Sequence, residues 1–315
     1  AGSAIPATRF YEAISDAGPV QPEEDMKPVI YVAMLSAFAL IGNDAWAEEV
    51  DVTRSVASNA SVEVSNVAGE IIISTWDRKE VHLRGSLGKD QELEVSESSS
   101  GIRFEVVNIG NDDDYDETDL ELHVPIGASL VAEGISADIE IAGSRGDSVV
   151  AESVSGDVLV QAEVGRVELS SVSGDIEFSG GAGRGTFETV SGDIEARGVS
   201  GEVSISSVSG DAFLQAGVLD RAQFETVSGT LELSLEMDAG GRLTAESMSG
   251  DVILTLPEDQ EGEFNIQTFS GDIRSVFGTA KDESFGPGSQ LRHVEGSSGA
   301  HFRIENFSGD VRIGH

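Results

Sequence analysis

Apolar and polar residues alternate with period two through most of the chain from about residue 60 onward, and one tripeptide cuts the alternation into regular lengths. Ser-Gly-Asp recurs with glycines at Gly156, Gly174, Gly192, Gly210, Gly250, Gly271 and Gly309, and Gly229 stands in a Ser-Gly-Thr variant. The steps between neighbours are 18, 18, 18, 19, 21, 21 and 38. The last step is close to two rungs, or one rung with a long excursion through 276–300. Alternation on both sides of the motif predicts strands with one buried face. The phase breaks near Ser-Gly-Asp, where the chain must turn: Gly reaches positive φ freely, and Ser and Asp hydrogen-bond local backbone. One repeat is therefore strand, corner, strand and loop, and it cannot bury its apolar edge alone. Stacked copies share a continuous core, with strands about 4.8 Å apart. Such short repeats suit a thin solenoid, because a propeller blade needs about 40 residues or more. The expected fold is all-β, a single-chain β-solenoid (β-helix) of 18–21-residue coils across 144–315.

Three columns of like residues are expected inside the stack. The first is Val154, Val172, Val190, Val208, Val227, Met248, Phe269 and Phe307. The second is Val158, Ile176, Ile194, Ala212, Leu231, Val252, Ile273 and Val311. The third is Leu169, Phe187, Ile205, Phe224, Ala245, Ile266 and Ile304. The first widens from Val to Phe toward the C-terminus, which predicts fatter late coils. Upstream, 48–143 reads as N-terminal coils and a cap with looser registration, and Pro125 ends one of its strands.

The layout Leu120-x-Leu122-x-Val124-Pro125-x-Gly127, followed by serial Val-Ser-Gly-Asp-Ile, resembles the bacterial putative-adhesin domains of unknown function, an autotransporter-head-like β-solenoid group. The resemblance covers roughly 60–315 and rests on the serial motif and its spacing. It implies an exported, repetitive β domain and carries no catalytic residues with it.

The N-terminus changes the picture. Met26 and Lys27 open a segment with an apolar run from Val29 to Ile41 and a small-x-small site at Ala45-Trp46-Ala47. That run is shorter than the ~20 residues of a spanning helix, so 26–47 reads as a signal peptide. Residues 1–25 read as an upstream extension outside the mature protein, which would begin at Glu48 and carry no transmembrane segment. The full chain has 19 Lys+Arg against 57 Asp+Glu, a formal charge of −38. Removing 1–47 takes away Arg9, Lys27 and six acidic residues, leaving 17 against 51, or −34. Such a surface argues against a nucleic-acid partner, which needs basic contacts to phosphate. Adaptation to a salty habitat is an alternative source of the acidity. The absence of cysteine removes disulfides, thiolate metal sites and Cys nucleophiles.

The Asp column is the main candidate site: Asp157, Asp175, Asp193, Asp211, Asp251 and Asp272, with Asp310 as its last copy. Stacked carboxylates about 5 Å apart repel by about 0.8 kcal/mol each in water. Hydrogen bonds to the adjacent turn's N–H groups would offset this, as would a ladder of Ca2+ ions bound by carboxylates and turn carbonyls. The structural turn is the preferred reading. The run Asp112–Asp119 fails as an EF-hand, since Glu117 stands where Gly is required and His123 where Glu is. Gly180-Gly181-Ala182-Gly183-Arg184-Gly185 joins strands and opens no helix, so it is not a phosphate loop. His82, His123, His293, His301 and His315 share no ligand spacing, although His293 and His301 lie close enough in sequence to meet. The flanking column Ser171, Thr189, Ser207, Thr226, Ser247 and Thr268 resembles an ice-binding ladder only loosely, because it mixes Ser with Thr beside charge.

The function expected is non-enzymatic: a repetitive acidic surface for interaction or adhesion at the cell envelope, in the periplasm or at the cell surface. Its partner would be an envelope protein or surface ligand. Two alternatives are a periplasmic accessory protein docking one partner through 276–300, and a carbohydrate-active enzyme on a β-helix scaffold. The excursion, with Phe277, Lys281, Phe285, Arg292 and His293, is the one stretch varied enough for a compact site.

Overall fold

The computed structural model describes residues 48–110, 116–282, 288–297 and 299–315. The expected extension 1–25 and signal peptide 26–47, and Asp112–Tyr115 of the acidic run, lie outside the described residues, as does Phe285.

Among the described residues every regular element is a β-strand. The N-terminal part comprises β1 (Glu48–Ser55), β2 (Ser61–Trp76), β3 (Glu80–Leu87), β4 (Gln91–Glu97), β5 (Gly101–Asn108) and β6 (Thr118–Pro125). The serial part comprises β7 (Ser129–Ser144), β8 (Ser148–Ser153), β9 (Val158–Ser171), β10 (Ile176–Ser191), β11 (Ile194–Ser209), β12 (Ala212–Ser228), β13 (Leu231–Ser249) and β14 (Val252–Thr255). The C-terminal part comprises β15 (Gly262–Ser270), β16 (Ile273–Ser275), β17 (Lys281–Asp282), β18 (Ser289–Glu295), β19 (Ala300–Ser308) and β20 (Val311–Gly314).

The long strands bend midway, so each serves two faces of the stack. Phe178 and Phe187, on the two halves of β10, meet inside with ring centroids 5.8 Å apart. Coils pair in parallel and in register: Ile176 lies between Val158 and Ile194, and Phe187 between Leu169 and Ile205. The second and third expected columns are buried throughout. The fold is thus an all-β solenoid whose 18-residue period sets one rung.

The first column is not in the core. Val154 is 37% exposed and Met248 59%, and Val208, Val227, Phe269 and Phe307 are exposed as well. The buried side of the corner is taken by Ser153, Ser171, Thr189, Ser207, Thr226, Ser247, Asn306 and Thr268. Strand alternation explains the correction. With Val167 and Leu169 inward, the next inward position is Ser171, and Val172 must face out. A small hydroxyl fits where the two faces converge. The widening from Val to Phe therefore thickens the outer edge and not the core.

Both ends depart from serial order. At the N-terminal end β2 lies between β7 and the pair β5 and β6, and antiparallel β3, β1 and β4 lie beyond. At the C-terminal end β19 pairs with β13 on one side and β15 on the other, while β20 lies between β14 and β16. The coil at 300–314 is therefore inserted between two coils that precede it in sequence. Within 276–300, antiparallel β18 covers β15, and Phe277 stacks on Phe264 at 4.6 Å, which in turn stacks on Phe302 at 4.5 Å. These residues close the end of the core.

Candidate functional site

The corner made by Val-Ser-Gly-Asp is the most regular feature of the surface. Its glycine packs against the rung before it, so a Cβ on Gly174 would lie 2.0 Å from the carbonyl oxygen of Gly156. From Gly210 onward the glycines also hold positive φ, for example +140° at Gly250. This tight approach stacks the flanking residues into columns.

On one side of the corner run the aspartates. Asp157 Oδ1 accepts the amide N–H of Asp175 at 2.8 Å, Asp175 that of Asp193, and Asp193 that of Asp211. Asp211 accepts from Thr230 N–H at 2.7 Å. Asp251 accepts from Asp310 N–H and Asp310 from Asp272 N–H, at 2.9 and 3.0 Å, following the spatial order of the last coils. These bonds supply the offset that stacked carboxylates need, and they occupy one oxygen of each accepting aspartate. The late aspartates also meet arginine: Arg312 bridges Asp251 and Asp310 at 2.9 and 3.1 Å, and Arg274 reaches Asp272 at 3.4 Å. The Asp310 carboxyl is held below the usual range by the Asp272 N–H first, then by Arg274 and Arg312. Among the described residues no group of three or more His, Asp and Glu gathers as metal ligands.

On the other side of the corner run the outward residues of the second face. Glu133, Glu152, Ser170, Glu188, Ser206, Glu225, Glu246 and Glu305 succeed one another in register. Partial burial raises the Glu188 carboxyl above its ordinary value, reinforced by Glu168 and Glu225. Glu152 is raised in the same way, with Glu133, Glu168 and Glu188 as its neighbours. Between these acidic columns stands the apolar ridge from Val154 to Phe269, exposed except at Val172 and Val190, which are half-buried. Phe269 and Phe307 are stacked with ring centroids 5.0 Å apart and planes 6° from parallel. The sequence reading names the aspartate and apolar columns, places the apolar one inside, and misses the glutamate-rich one.

The remaining candidates resolve simply. The Ser/Thr column is buried, so it presents no ladder to water. The Gly180–Gly185 stretch is glycine-rich for packing: a Cβ on Gly180 would meet the Ala162 carbonyl at 2.0 Å, and one on Gly185 the Phe187 ring at 2.7 Å. His293 and His301 do not meet. They lie on β18 and β19 with β15 between them, each beside a glutamate, Glu295 at 2.9 Å and Glu263 at 3.5 Å. Sequence reasoning missed that β3 and β6 place His82 opposite His123, beside Trp76 at ring distances of 5.2 to 6.4 Å. Only strand pairing, which no local spacing reveals, brings these rings together. His82 Nε2 lies 3.1 Å from Asp51, and Arg78 sits over the Trp76 ring at 4.6 Å.

Among the described residues the surface carries shallow hollows, two of which are the best formed. One of about 290 Å3 is lined by Arg54, Val56, Glu97 and Ser98 among others, and one of about 410 Å3 by Phe264, Asn265, Arg292 and His293 among others. Neither touches the corner. Among the described residues no helix is long and apolar enough to cross a membrane.

The solved structures that the chain is similar to include a putative adhesin from Parabacteroides distasonis, at 13% identity and a TM-score of 0.49, covering 85% of this chain and 98% of that one. A putative adhesin from Bacteroides fragilis matches at 11% identity and a TM-score of 0.45, covering 87% and 100%. A putative lipid binding protein from Parabacteroides distasonis matches at 10% identity and a TM-score of 0.47, covering 84% and 96%. No curated protein matches the chain. The family model described as Toastrack DUF4097 matches residues 47–314, and the chain belongs to that family.

Proposed function

We propose that this chain is an exported, non-enzymatic β-solenoid that works by contact, presenting its corner to a partner at the cell envelope. The observation that carries the reading is the corner itself: a largely exposed apolar ridge between an aspartate column, broken at Thr230, and a glutamate-rich column, broken at Ser170 and Ser206. A repeated surface of this kind binds through many weak contacts on a rigid frame, so its strength comes from avidity. The segment at 276–300 supports a docking site less well, because Phe277 and β18 are engaged in closing the core. An acidic surface also fits export away from nucleic acid.

The test is protease treatment of intact cells, followed with antibody to the protein. Digestion of intact cells, of cells with a permeabilised outer layer and of lysed cells is compared. Loss of the protein in either of the first two supports an envelope location and separates surface from periplasm. Loss only on full lysis would overturn export.

A further inference from the structure

We propose that the corner docks an amphipathic helix whose apolar stripe is flanked by basic residues. The inference rests on the reading of the corner as the contact surface, and it names the chemistry of the partner. Three observations lead to it. The ridge spans eight rungs, roughly 34 Å at about 4.8 Å per rung, which about 22 residues of helix would match at 1.5 Å each. One helical turn rises about 5.4 Å, so apolar side chains one turn apart follow the rungs locally and slip by about one rung over the whole ridge.

The second observation is charge. Among the described residues Asp157, Asp175, Asp193 and Asp211 have no ion-pair partner, whereas arginines neutralise the late aspartates. On the opposite flank Glu152 and Glu188 repel their neighbours. A cation laid along either flank relieves that repulsion. A second copy of this chain would set acidic column against acidic column, and an anionic membrane surface would carry the same sign.

The third observation orients the partner. Met248, Phe307 and Phe269 are the largest exposed apolar side chains on the ridge and stand at its arginine-neutralised end. Phe supplies a large apolar anchor and Met adapts its shape to what it meets. The apolar anchors of the helix belong at this end and its Lys or Arg residues toward the valine end.

The probe is a fluorescein-labelled 22-residue helix of about one-third Leu and the rest mainly Lys, with the Leu on one stripe. Binding to the full chain is followed by fluorescence anisotropy at physiological salt. Two controls replace every Lys by Glu, or every stripe Leu by Ser. The Leu/Lys helix is expected to bind and both controls to fail. The double change Phe269→Ser with Phe307→Ser is expected to weaken binding at least tenfold without moving the thermal melt, since both rings are exposed. Glu188→Gln with Glu225→Gln is expected to weaken it several-fold and to flatten its salt dependence.

Equal binding of the Ser-stripe peptide, or indifference to the Phe changes, would reduce the contact to unspecific charge and overturn the proposal. So would self-association of the wild-type protein that Phe269→Ser abolishes, or binding to zwitterionic vesicles that depends on the same rings. Protease treatment of cells reads compartment and the peptide titration reads contact chemistry, so either idea can fail alone.

Discussion

The early coils, to Gly174, and the late coils, from Gly192 to Gly309, share one repeat but solve its corner differently. In the early coils the buried hydroxyl holds the turn: Ser171 Oγ accepts the Gly174 N–H at 2.8 Å and donates to the Gly156 carbonyl at 3.3 Å. Ser153 does the same with Gly156 and Ala137. In the late coils the glycine N–H turns to the next rung instead, from Gly210 to Ser228 O at 3.2 Å and from Gly250 to Ser308 O at 3.0 Å. The hydroxyls of Thr189, Ser207, Thr226 and Ser247 are then left buried without a partner. From Gly250 onward the late coils also abandon serial order, and Asp251, Asp272 and Asp310 pair with arginine. An identical tripeptide thus permits two bonding patterns, and the neighbouring rung decides between them.

The hardest way to break the late coils is to remove their inserted member. Deleting 300–315 strips β19 and β20 from between their neighbours and removes the buried Phe302, Ile304, Val311 and Ile313 from the core. At roughly 1.5–3 kcal/mol each, that loss is comparable with the ~5–15 kcal/mol of a whole folded domain. Calorimetry should show the cooperative transition lost or split.

A smaller break is a methyl group on a late corner. Gly250→Ala would place Cβ 2.0 Å from the Gly229 carbonyl at φ +140°, and should cost more than about 2 kcal/mol in urea unfolding. Gly181→Ala, with nothing within 4 Å, should be neutral or stabilising by up to about 1 kcal/mol. Similar losses from the two would mean that close stacking is not what the corner glycine serves.

The serine pair sharpens the contrast most directly. Ser171→Ala leaves the buried Gly174 N–H without its acceptor and should cost about 1–2 kcal/mol. Ser207→Ala removes a hydroxyl that has no partner and should stay within about 0.5 kcal/mol of wild type. Equal costs would show the two corners to be one.

The smallest effect expected is electrostatic. The Glu188 carboxyl is raised above its ordinary 4.5 by burial and then by Glu168 and Glu225. A group raised on folding favours the folded state most below its unfolded pKa, and that contribution is lost as pH rises through the folded value. Glu188→Gln should therefore gain melting temperature relative to wild type between pH 4 and pH 7. A constant difference across that range would rule out this coupling.

Period and pairing were legible in the sequence because they depend on spacing. The 18-residue step sets one rung, and the columns at Ile176 and Phe187 align as read. The phase at the corner was not, because Ser171 and Val172 are adjacent and hydrophobicity favours burying the valine, while strand geometry buries the serine. The order of the last coils was illegible for a different reason. Val252, Ile273 and Val311 are interchangeable in one column, so side-chain type cannot say which neighbours which. Of the candidate site, the aspartates and the ridge residues were all identified. What was hidden was that the ridge faces solvent and that pairing aligns Glu133, Glu152, Glu188, Glu225, Glu246 and Glu305 along its other flank.

The inserted coil gives the molecule a way of checking its own completeness. As the chain emerges from its N-terminus, the rung at 262–275 is made before the one that separates it from 252–255, so a gap one strand wide must wait to be filled. A product cut short between them lacks the strands that join β13 to β15 and β14 to β16 in the finished fold. Its β13, β14, β15 and β16 are then without the parallel neighbours that β19 and β20 supply. Arrival of Ala300–Gly314 seals both edges in a single step.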